Sequence, residues 1–222
     1  MKPDLADSLR INISRFLINY AVRFSFAAVV VYSCWIAIEN YNYWFSWHVI
    51  LCTFGYVPLM AEALMLFTGD ELWSKQISKK AKNKIHAFII IMSTVIIICG
   101  NSVCFHYIQP GYHLYTAHGI TGLISMILII MSIALGYAAH YATDLHEYAA
   151  PVVFKFWHNL IGLLGYTIGI ASLCFAYYTN WFIYYTTPES RLVALIFTIL
   201  ASLWSINGAL ISGYSQIKTL IR

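Results

Sequence analysis

The sequence predicts an all-α integral membrane protein with six transmembrane helices, the four central ones forming a bundle. Hydrophobic residues make up 60% of the 222 residues and charged residues only 10%, whereas a soluble domain carries about 25% charged residues. A soluble fold of this size has too little interior for so much apolar surface, so we expect a lipid bilayer as the solvent. The apolar segments are Phe24–Ile38, Trp44–Phe67, Ile85–Tyr107, Leu114–Ala139, Trp157–Tyr178 and Leu192–Tyr214.

Each segment is judged by its length, because a helix needs about 20 residues to cross the hydrocarbon core. The first segment is shorter, but it becomes long enough if the helix starts near Phe16 and Arg23 extends toward the headgroups. The second to sixth segments are long enough as they stand. Backbone groups in lipid must bond within their own segment, so these segments are helices. The alternating segments of a β-barrel, each of about ten residues, are not visible in the sequence.

The chain reads as a single domain, residues 1–222, because no linker or low-complexity run interrupts the apolar segments. The N-terminal stretch MKPDLADSLRINISRF is polar and amphipathic. It lacks the short apolar region and small-residue cleavage site of a signal peptide. We therefore expect the first helix to remain as a span.

Lysine and arginine are concentrated on one side of the predicted helices, with only Arg191 on the other. Because basic loops stay in the cytosol, we expect both termini and the basic connections to be cytosolic. This distribution explains the net charge of +4, so no nucleic-acid partner is expected. The basic residues on the cytosolic side are Lys2, Arg10, Arg15, Arg23, Lys75, Lys79, Lys80, Lys82, Lys84, Lys155, Lys218 and Arg222.

Four histidines occur singly on four consecutive predicted helices, each near the start of its helix: His48, His86, His118 and His158. Helices two and four run inward, so His48 and His118 lie near the outer face. Helices three and five run outward, so His86 and His158 lie near the inner face. With a rise of 1.5 Å per residue, the two pairs should lie very roughly 20 Å apart along the membrane normal.

Two imidazoles that face each other from neighbouring helices are the axial ligands of six-coordinate haem iron. Zinc fits less well, because it would need more nitrogen, sulfur or carboxylate donors in each pair. The five cysteines form neither a C-x-x-C pair nor the C-x-x-C-H motif of covalent haem attachment. The pattern therefore indicates two haems held without a covalent tether.

Small residues follow three of the four histidines at positions i+4 and i+7, which share a helix face with the histidine. A porphyrin plate needs such space beside its ligand, although small residues also serve close helix packing in membranes. Only the stripe after His86 begins with a large residue. The residues concerned are Cys52 and Gly55, Gly122 and Ser125, Gly162, Gly165 and Gly169, and, after His86, Ile90 and Ser93.

Four stretches of the sequence carry a resemblance to a known family: FSWH ending at His48, KNKIH ending at His86, TAHGITGL around His118 and KFWHNLIGLLGY around His158. With one histidine on each of four consecutive helices, the chain resembles the cytochrome b561 family, in particular its short "domain-containing" members. The resemblance covers essentially the whole chain. Where better-studied ascorbate-using members have longer signatures, this sequence reads MLFTGDELW and LYTAHGITG.

The resemblance implies two haem b groups, one ligated by His48 and His118 and the other by His86 and His158. It implies a transmembrane reductase that takes electrons from cytosolic ascorbate. The acceptor across the membrane would be the monodehydroascorbate radical or ferric iron. Members are commonly homodimers in an endomembrane (endoplasmic reticulum or vesicle) or in the plasma membrane.

Candidate substrate-binding residues lie at both ends of the predicted bundle. Positive charge near the inner pair would attract an anionic donor, and Lys80, Lys84 and Lys155 are placed there. At the outer end a histidine could bind ferric iron or pass a proton to a radical. The outer candidates are His106, Tyr112, His113, Tyr115 and Arg191.

Two other functions stay open from the sequence: a proton-coupled transporter that uses its histidines without haem, and a haem-binding membrane protein without turnover. Broken helices in matching halves would favour the transporter, but Pro58 has no obvious counterpart. Glu62 is the acid that lies well inside a span, and we expect it to pair with Arg23 or to reach the headgroups. Asn101 and Asn207 are expected to form hydrogen bonds between helices.

Overall fold

The computed structural model describes residues 5–68, 76–109 and 112–221, with side chains from residue 13 onward except that of Tyr43. The predicted cytosolic residues Lys2, Lys75 and Arg222 lie outside the described residues, as does the side chain of Arg10.

All regular structure in these three ranges is helical, as the composition predicted. Six helical stretches are long and apolar enough to cross a membrane, which confirms the six-helix fold. The elements in chain order are α1 (Leu5–Glu39), α2 (Tyr43–Phe54), a π-helical turn (Gly55–Met60), α3 (Ala61–Met65), α4 (Lys79–Tyr107), α5 (Ala117–His140), α6 (Pro151–Ala176), α7 (Asn180–Tyr185), α8 (Pro188–Ser205) and α9 (Asn207–Leu220).

Hydroxyl side chains cap the N-termini of three of the membrane helices. Ser78, Thr116 and Thr187 precede α4, α5 and α8, and each side-chain oxygen accepts a hydrogen bond from a backbone N–H of the first turn. Such caps satisfy donors that have no partner within the helix. α6 and α8 also start with proline, whose missing N–H costs nothing in the first turn.

The helix boundaries differ from the prediction in three places. α1 starts at Leu5, well before the apolar segment, so the first span is longer than its hydrophobic stretch. The short helix α7 was not predicted, because its six residues are too few to show a period. The sixth span is divided at Ile206 into α8 and α9. Asn207 is exposed at this division, so the interhelical hydrogen bond predicted for it was wrong. The one predicted for Asn101 is present, because its side chain contacts Cys52 of α2 and Met126 of α5.

Two antiparallel helix pairs form the centre of the bundle. The second span, from α2 to α3, packs along α4, and α5 packs along α6. Buried side chains from the spans fill the middle of the bundle, among them Val57, Met60, Ile97, Ile129 and Tyr166. α1 and α8 pack against each other and against the centre, so the two pairs are held in a fixed arrangement.

One ion pair lies between the first and second spans. Arg23 donates two hydrogen bonds to Glu62, from Nε to Oε1 at 2.6 Å and from Nη2 to Oε2 at 2.9 Å. The side chains are 24% and 33% exposed. This confirms the pairing expected for Glu62, and it shows that Arg23 neutralises an acid instead of only extending to headgroups.

Removing one partner of this ion pair should destabilise the protein. Arg23→Met or Glu62→Met removes one charge of the pair and leaves the other near lipid without this counter-charge. We expect each single variant to lose roughly 1–3 kcal/mol, less than for a fully buried pair because the side chains are partly exposed. Unfolding in detergent, followed by tryptophan fluorescence, measures this. The Arg23→Met, Glu62→Met double variant should recover part of the loss, and Lys218→Met serves as an exposed control. Additive losses in the double variant would contradict the prediction.

Candidate haem-binding site

His48 of α2 and His118 of α5 face each other across the bundle. Their ring centres lie 5.9 Å apart, with the planes at 75°. Nδ1 of His48 donates to the carbonyl of Gly100 on α4 at 3.0 Å. Nδ1 of His118 donates to the carbonyl of Ser172 on α6 at 2.9 Å. The structure thus brings together the two histidines that were predicted to share one level.

His86 of α4 and His158 of α6 form the equivalent pair at the other end. Their ring centres lie 6.1 Å apart, with the planes at 90°. Nδ1 of His86 donates to the carbonyl of Ala63 at 3.0 Å, and Nδ1 of His158 donates to that of Ser132 at 2.9 Å. Gly136 makes room for this pair, because a methyl group there would lie 2.9 Å from Cε1 of His158.

The four hydrogen bonds are reciprocal within the two antiparallel pairs. Each helix contributes one histidine at one level and the carbonyl that orients its neighbour's histidine at the other level. A carbonyl oxygen only accepts, so each Nδ1 carries the proton and each Nε2 keeps its lone pair. Within the described part of the chain no Nε2 of the four rings has a hydrogen-bond partner. The rings are therefore held in the tautomer that binds a metal ion, as outer carbonyl partners do in metal sites.

The ring spacing fits axial ligation of haem iron. An imidazole nitrogen bonds a first-row metal ion at about 2.0 Å and the ring centre lies about 1.1 Å beyond it, so two axial rings have centres about 6 Å apart. The spacings of 5.9 and 6.1 Å match this value.

The donor set also fits a haem better than a bare metal ion. Among the described residues, no group of three or more histidine, cysteine, aspartate or glutamate side chains converges on one point. A porphyrin supplies four nitrogens of its own, so two imidazoles complete the six positions around iron. Along α4 the two levels, at His86 and at Gly100, are separated by about 21 Å at the helical rise of 1.5 Å per residue.

A cavity of about 360 Å³ adjoins His48 and His118. Cys52, Asn101, Gly122, Gly169 and Ser172 are among its lining residues. Residues 112–116 also line it, and Leu114 among them has a left-handed backbone with φ of 58°. The cavity thus connects the first histidine pair with the loop between α4 and α5.

The small residues after the histidines serve two purposes, and only part of the predicted stripe faces the cavity. Gly122 and Gly169 line it, as expected, although a methyl group at Gly169 would also overlap the ring of Tyr56. A side chain at Gly55 would instead overlap Ile97 of α4, and methyl groups at Gly162 and Gly165 would meet Ser132 and Ile129 of α5. These three glycines allow close helix packing. The sequence left both porphyrin space and helix packing open for these glycines, because a face defined by spacing does not show which neighbour it meets.

The carbonyl partners of the histidines were not predicted, although the sequence contains a signal for two of them. Ser132 follows His118 by 14 residues in α5, and Ser172 follows His158 by 14 residues in α6. This shared His-to-Ser spacing marks α5 and α6 as matched antiparallel partners. The hydroxyls join the contact, since Ser172 Oγ donates to the carbonyl of His118 at 2.8 Å and Ser132 Oγ to that of His158 at 3.3 Å.

The candidate substrate residues lie at the two ends of the bundle. Lys80, Lys84 and Lys155 are exposed in the first turns of α4 and α6, at the end that holds His86 and His158. At the opposite end His113 stacks on Phe105, with ring centres 5.2 Å apart, and lines the cavity together with Tyr112 and Tyr115. His106 is exposed near the end of α4 and does not line this cavity.

Arg191 is not an open binding residue, contrary to the expectation for the outer end. It is 8% exposed. Its Nη1 donates to the carbonyls of Ile183 and Thr186 and contacts the Thr186 hydroxyl. The guanidinium therefore stabilises the C-terminal end of α7, where carbonyls have no partner within the helix. The sequence could not reveal this, because α7 itself was not predicted.

Comparisons with known proteins identify the family of the chain. The family model described as eukaryotic cytochrome b561 matches residues 47–184, a range that contains all four histidines. The mouse protein named transmembrane reductase CYB561D2 (Mus musculus) is 29% identical over 165 residues, which cover 73% of this chain and 74% of that protein.

Two further relatives match over shorter ranges. The rice protein (Oryza sativa subsp. japonica) named probable ascorbate-specific transmembrane electron transporter 1 is 28% identical over 136 residues, 60% of this chain and 56% of its own length. The mouse plasma membrane ascorbate-dependent reductase CYBRD1 is 27% identical over 95 residues, 42% of this chain and 32% of its own. No solved structure matches. Because the family model covers more than half of the chain, the protein belongs to the eukaryotic cytochrome b561 family.

Proposed function

We propose that the chain is a transmembrane reductase that moves single electrons from cytosolic ascorbate to an acceptor on the opposite side, and that it holds two b-type haems for this purpose. Membership of the family implies haem b. The observation that carries the proposal is the two opposed imidazole pairs, with ring centres 5.9 and 6.1 Å apart at opposite ends of one bundle. The relatives named as ascorbate-dependent proteins support the donor.

His48 and His118 would hold one haem, and His86 and His158 the other. When bound, each haem would supply a one-electron carrier without an open position for oxygen. The chain fixes the four imidazoles in advance, because each Nδ1–H is bonded to a backbone carbonyl of a neighbouring helix. These bonds also make each Nε2 a stronger donor to a metal ion.

The donor end would be the end of His86 and His158. Its exposed lysines, Lys80, Lys84 and Lys155, favour the cytosol by the positive-inside rule. The same positive charges would raise the local concentration of ascorbate, which is an anion at neutral pH. Both termini would then be cytosolic, in an endomembrane or the plasma membrane, and we take the whole chain to act as one domain.

The acceptor end would be the cavity beside His48 and His118. Reduction of the monodehydroascorbate radical consumes one electron and one proton, so a proton donor near this cavity would assist. His113 lines the cavity and is half-buried, so its imidazole is placed to pass a proton to a bound radical. Ferric iron, the other candidate acceptor, would also bind an imidazole nitrogen. His106 lies further out and would contribute only to the approach of the acceptor.

The function is tested with the purified full chain and with sealed vesicles. A haem assay should find two haems per chain, and oxidised protein should be reduced within seconds of mixing with ascorbate. Vesicles that contain the protein and an enclosed ferric chelate should form ferrous iron when ascorbate is added outside. A colourless preparation from haem-replete cells would contradict the proposal. Stable haem that ascorbate does not reduce would indicate a haem-binding protein without turnover.

The mass of the purified protein in detergent tests for a homodimer.

Each histidine pair should control one haem. His86→Ala removes one of two axial ligands at the inner level, so the variant should retain one haem per chain, and so should His48→Ala at the outer level. In reduced-minus-oxidised spectra, each variant should show one remaining band, and the band of His86→Ala should differ from that of His48→Ala. His146→Ala, outside both pairs, is the control and should keep two haems. Retention of two haems after either substitution would show that the pairing is wrong.

The exposed lysines should affect the donor reaction alone. The Lys84→Ala, Lys155→Ala double variant removes two positive charges near the inner pair, so we expect the half-saturating ascorbate concentration to rise by about threefold to tenfold. The effect should shrink at high ionic strength, because salt screens exposed charges. Lys218→Ala is a control for the loss of an exposed charge elsewhere. A lower maximal rate with unchanged half-saturation would contradict an electrostatic role.

Substitution of His113 should slow the acceptor reaction and spare the donor reaction. His113→Ala removes the imidazole from the cavity, so we expect reduction of enclosed acceptor to slow by roughly tenfold to a hundredfold at neutral pH. Reduction of the protein by ascorbate should be unchanged. His106→Ala, placed outside the cavity lining, should have a smaller effect. Equal slowing by the two substitutions would remove the special role of His113.

A further inference from the structure

Each of the four central spans contains one histidine and, at the opposite level, one carbonyl that accepts a hydrogen bond from a histidine of the neighbouring span. The number of residues between this histidine and this carbonyl is the same in three of the four spans. With the histidine as position i, the carbonyl stands at i+14 for His86 and Gly100 in α4, for His118 and Ser132 in α5, and for His158 and Ser172 in α6. In the second span the carbonyl of Ala63 stands at i+15 from His48. The second span therefore carries one residue more than its three neighbours between the two levels.

One extra residue would turn an ordinary helix away from its partner. Each residue of an α-helix adds a rise of 1.5 Å and, at 3.6 residues per turn, a rotation of about 100°. A continuous helix from His48 to Ala63 would thus present the carbonyl of residue 63 about 100° away from the direction that the other three spans use. The carbonyl of Ala63 nevertheless accepts a hydrogen bond from His86 at 3.0 Å.

The π-helical turn Gly55–Met60 lies between these two points and accommodates the extra residue. In a π turn hydrogen bonds run from residue i to i+5, so the turn holds one residue more than an α turn. Pro58 lies inside it, where a proline without an N–H is tolerated because the turn already lacks the regular α bonds. The carbonyl of Gly55 accepts a hydrogen bond from Ser93 Oγ of α4 at 2.9 Å, which fixes the turn against the neighbouring helix.

We propose that the π turn around Pro58 is a register device that allows the second span to serve both histidine levels. It keeps His48 directed at one level and the carbonyl of Ala63 at the other, although the segment between them is one residue longer than in the other three spans. The turn is thus a positioning element for His86, which Ala63 orients. The inference rests on the proposed haem ligation and adds that the second span has one spare residue, located in this turn.

The proposal predicts that this turn tolerates a deletion that a membrane helix does not. Deletion of Pro58, or of Leu59, gives an α-helical second span the same spacing from histidine to carbonyl as its neighbours. Both variants should keep two haems per chain and both bands of the reduced-minus-oxidised spectrum. Deletion of Ile91, which is 50% exposed and lies between His86 and Gly100, should lose at least one haem. Insertion of one alanine after Leu59 should also lose at least one haem.

The measurements are haem content, the two spectral bands and the yield of monodisperse protein in detergent. The expected result is that the Pro58 or Leu59 deletion resembles the parent chain while the Ile91 deletion and the insertion do not. Equal losses among the three deletions, in haem or in yield, would overturn the register proposal. Absence of haem from the unaltered chain would instead overturn the proposed function, so the two failures are distinguishable.

Discussion

The hydrogen bond from a histidine Nδ1 to a backbone carbonyl on an adjacent helix sets the geometry of the whole bundle. It occurs four times, with lengths between 2.9 and 3.0 Å. A carbonyl inside an α-helix already accepts one bond and has a second lone pair, so it can orient an imidazole without breaking its helix. In lipid no water competes for this acceptor. Two antiparallel helix pairs that exchange such bonds hold four imidazoles at two fixed levels.

The peripheral helices are attached by the same kind of chemistry. Tyr177 bonds to Thr198 at 2.9 Å and Tyr166 to Ser205 at 3.1 Å, which ties α8 to α6. Trp204 donates to Asn19 at 2.6 Å, which ties α8 to α1. In a bilayer apolar contacts alone give little preference for one neighbour over another, so such polar contacts help to select the arrangement. The ion pair of Arg23 and Glu62 adds a further link between α1 and the second span.

The two ends of the bundle differ in charge and in shape. The His86–His158 end carries exposed lysines, and positive charge of this kind attracts anions. The His48–His118 end opens into a cavity lined largely by aromatic and small residues, with His113 at its side. The chain combines a symmetric interior, in which four helices play equivalent parts, with asymmetric ends. Under the proposed function, this interior would hold the same cofactor at both levels, and the difference between the two ends would set the direction of electron transfer.

The number of spans, their alternating directions and the levels of the four histidines could be predicted from the residues alone, because span length and the rise of a helix are local properties. The pairing of Glu62 with Arg23 and the interhelical hydrogen bonding of Asn101 followed from the cost of polar groups in lipid. What each helix face meets became known only from the packed bundle. Gly55 packs on Ile97, Arg191 stabilises α7, and the carbonyls of Gly100 and Ala63 orient His48 and His86. Spacing reveals which residues share a face, but the neighbour of that face depends on how the helices pack, which residues distant in the chain decide together.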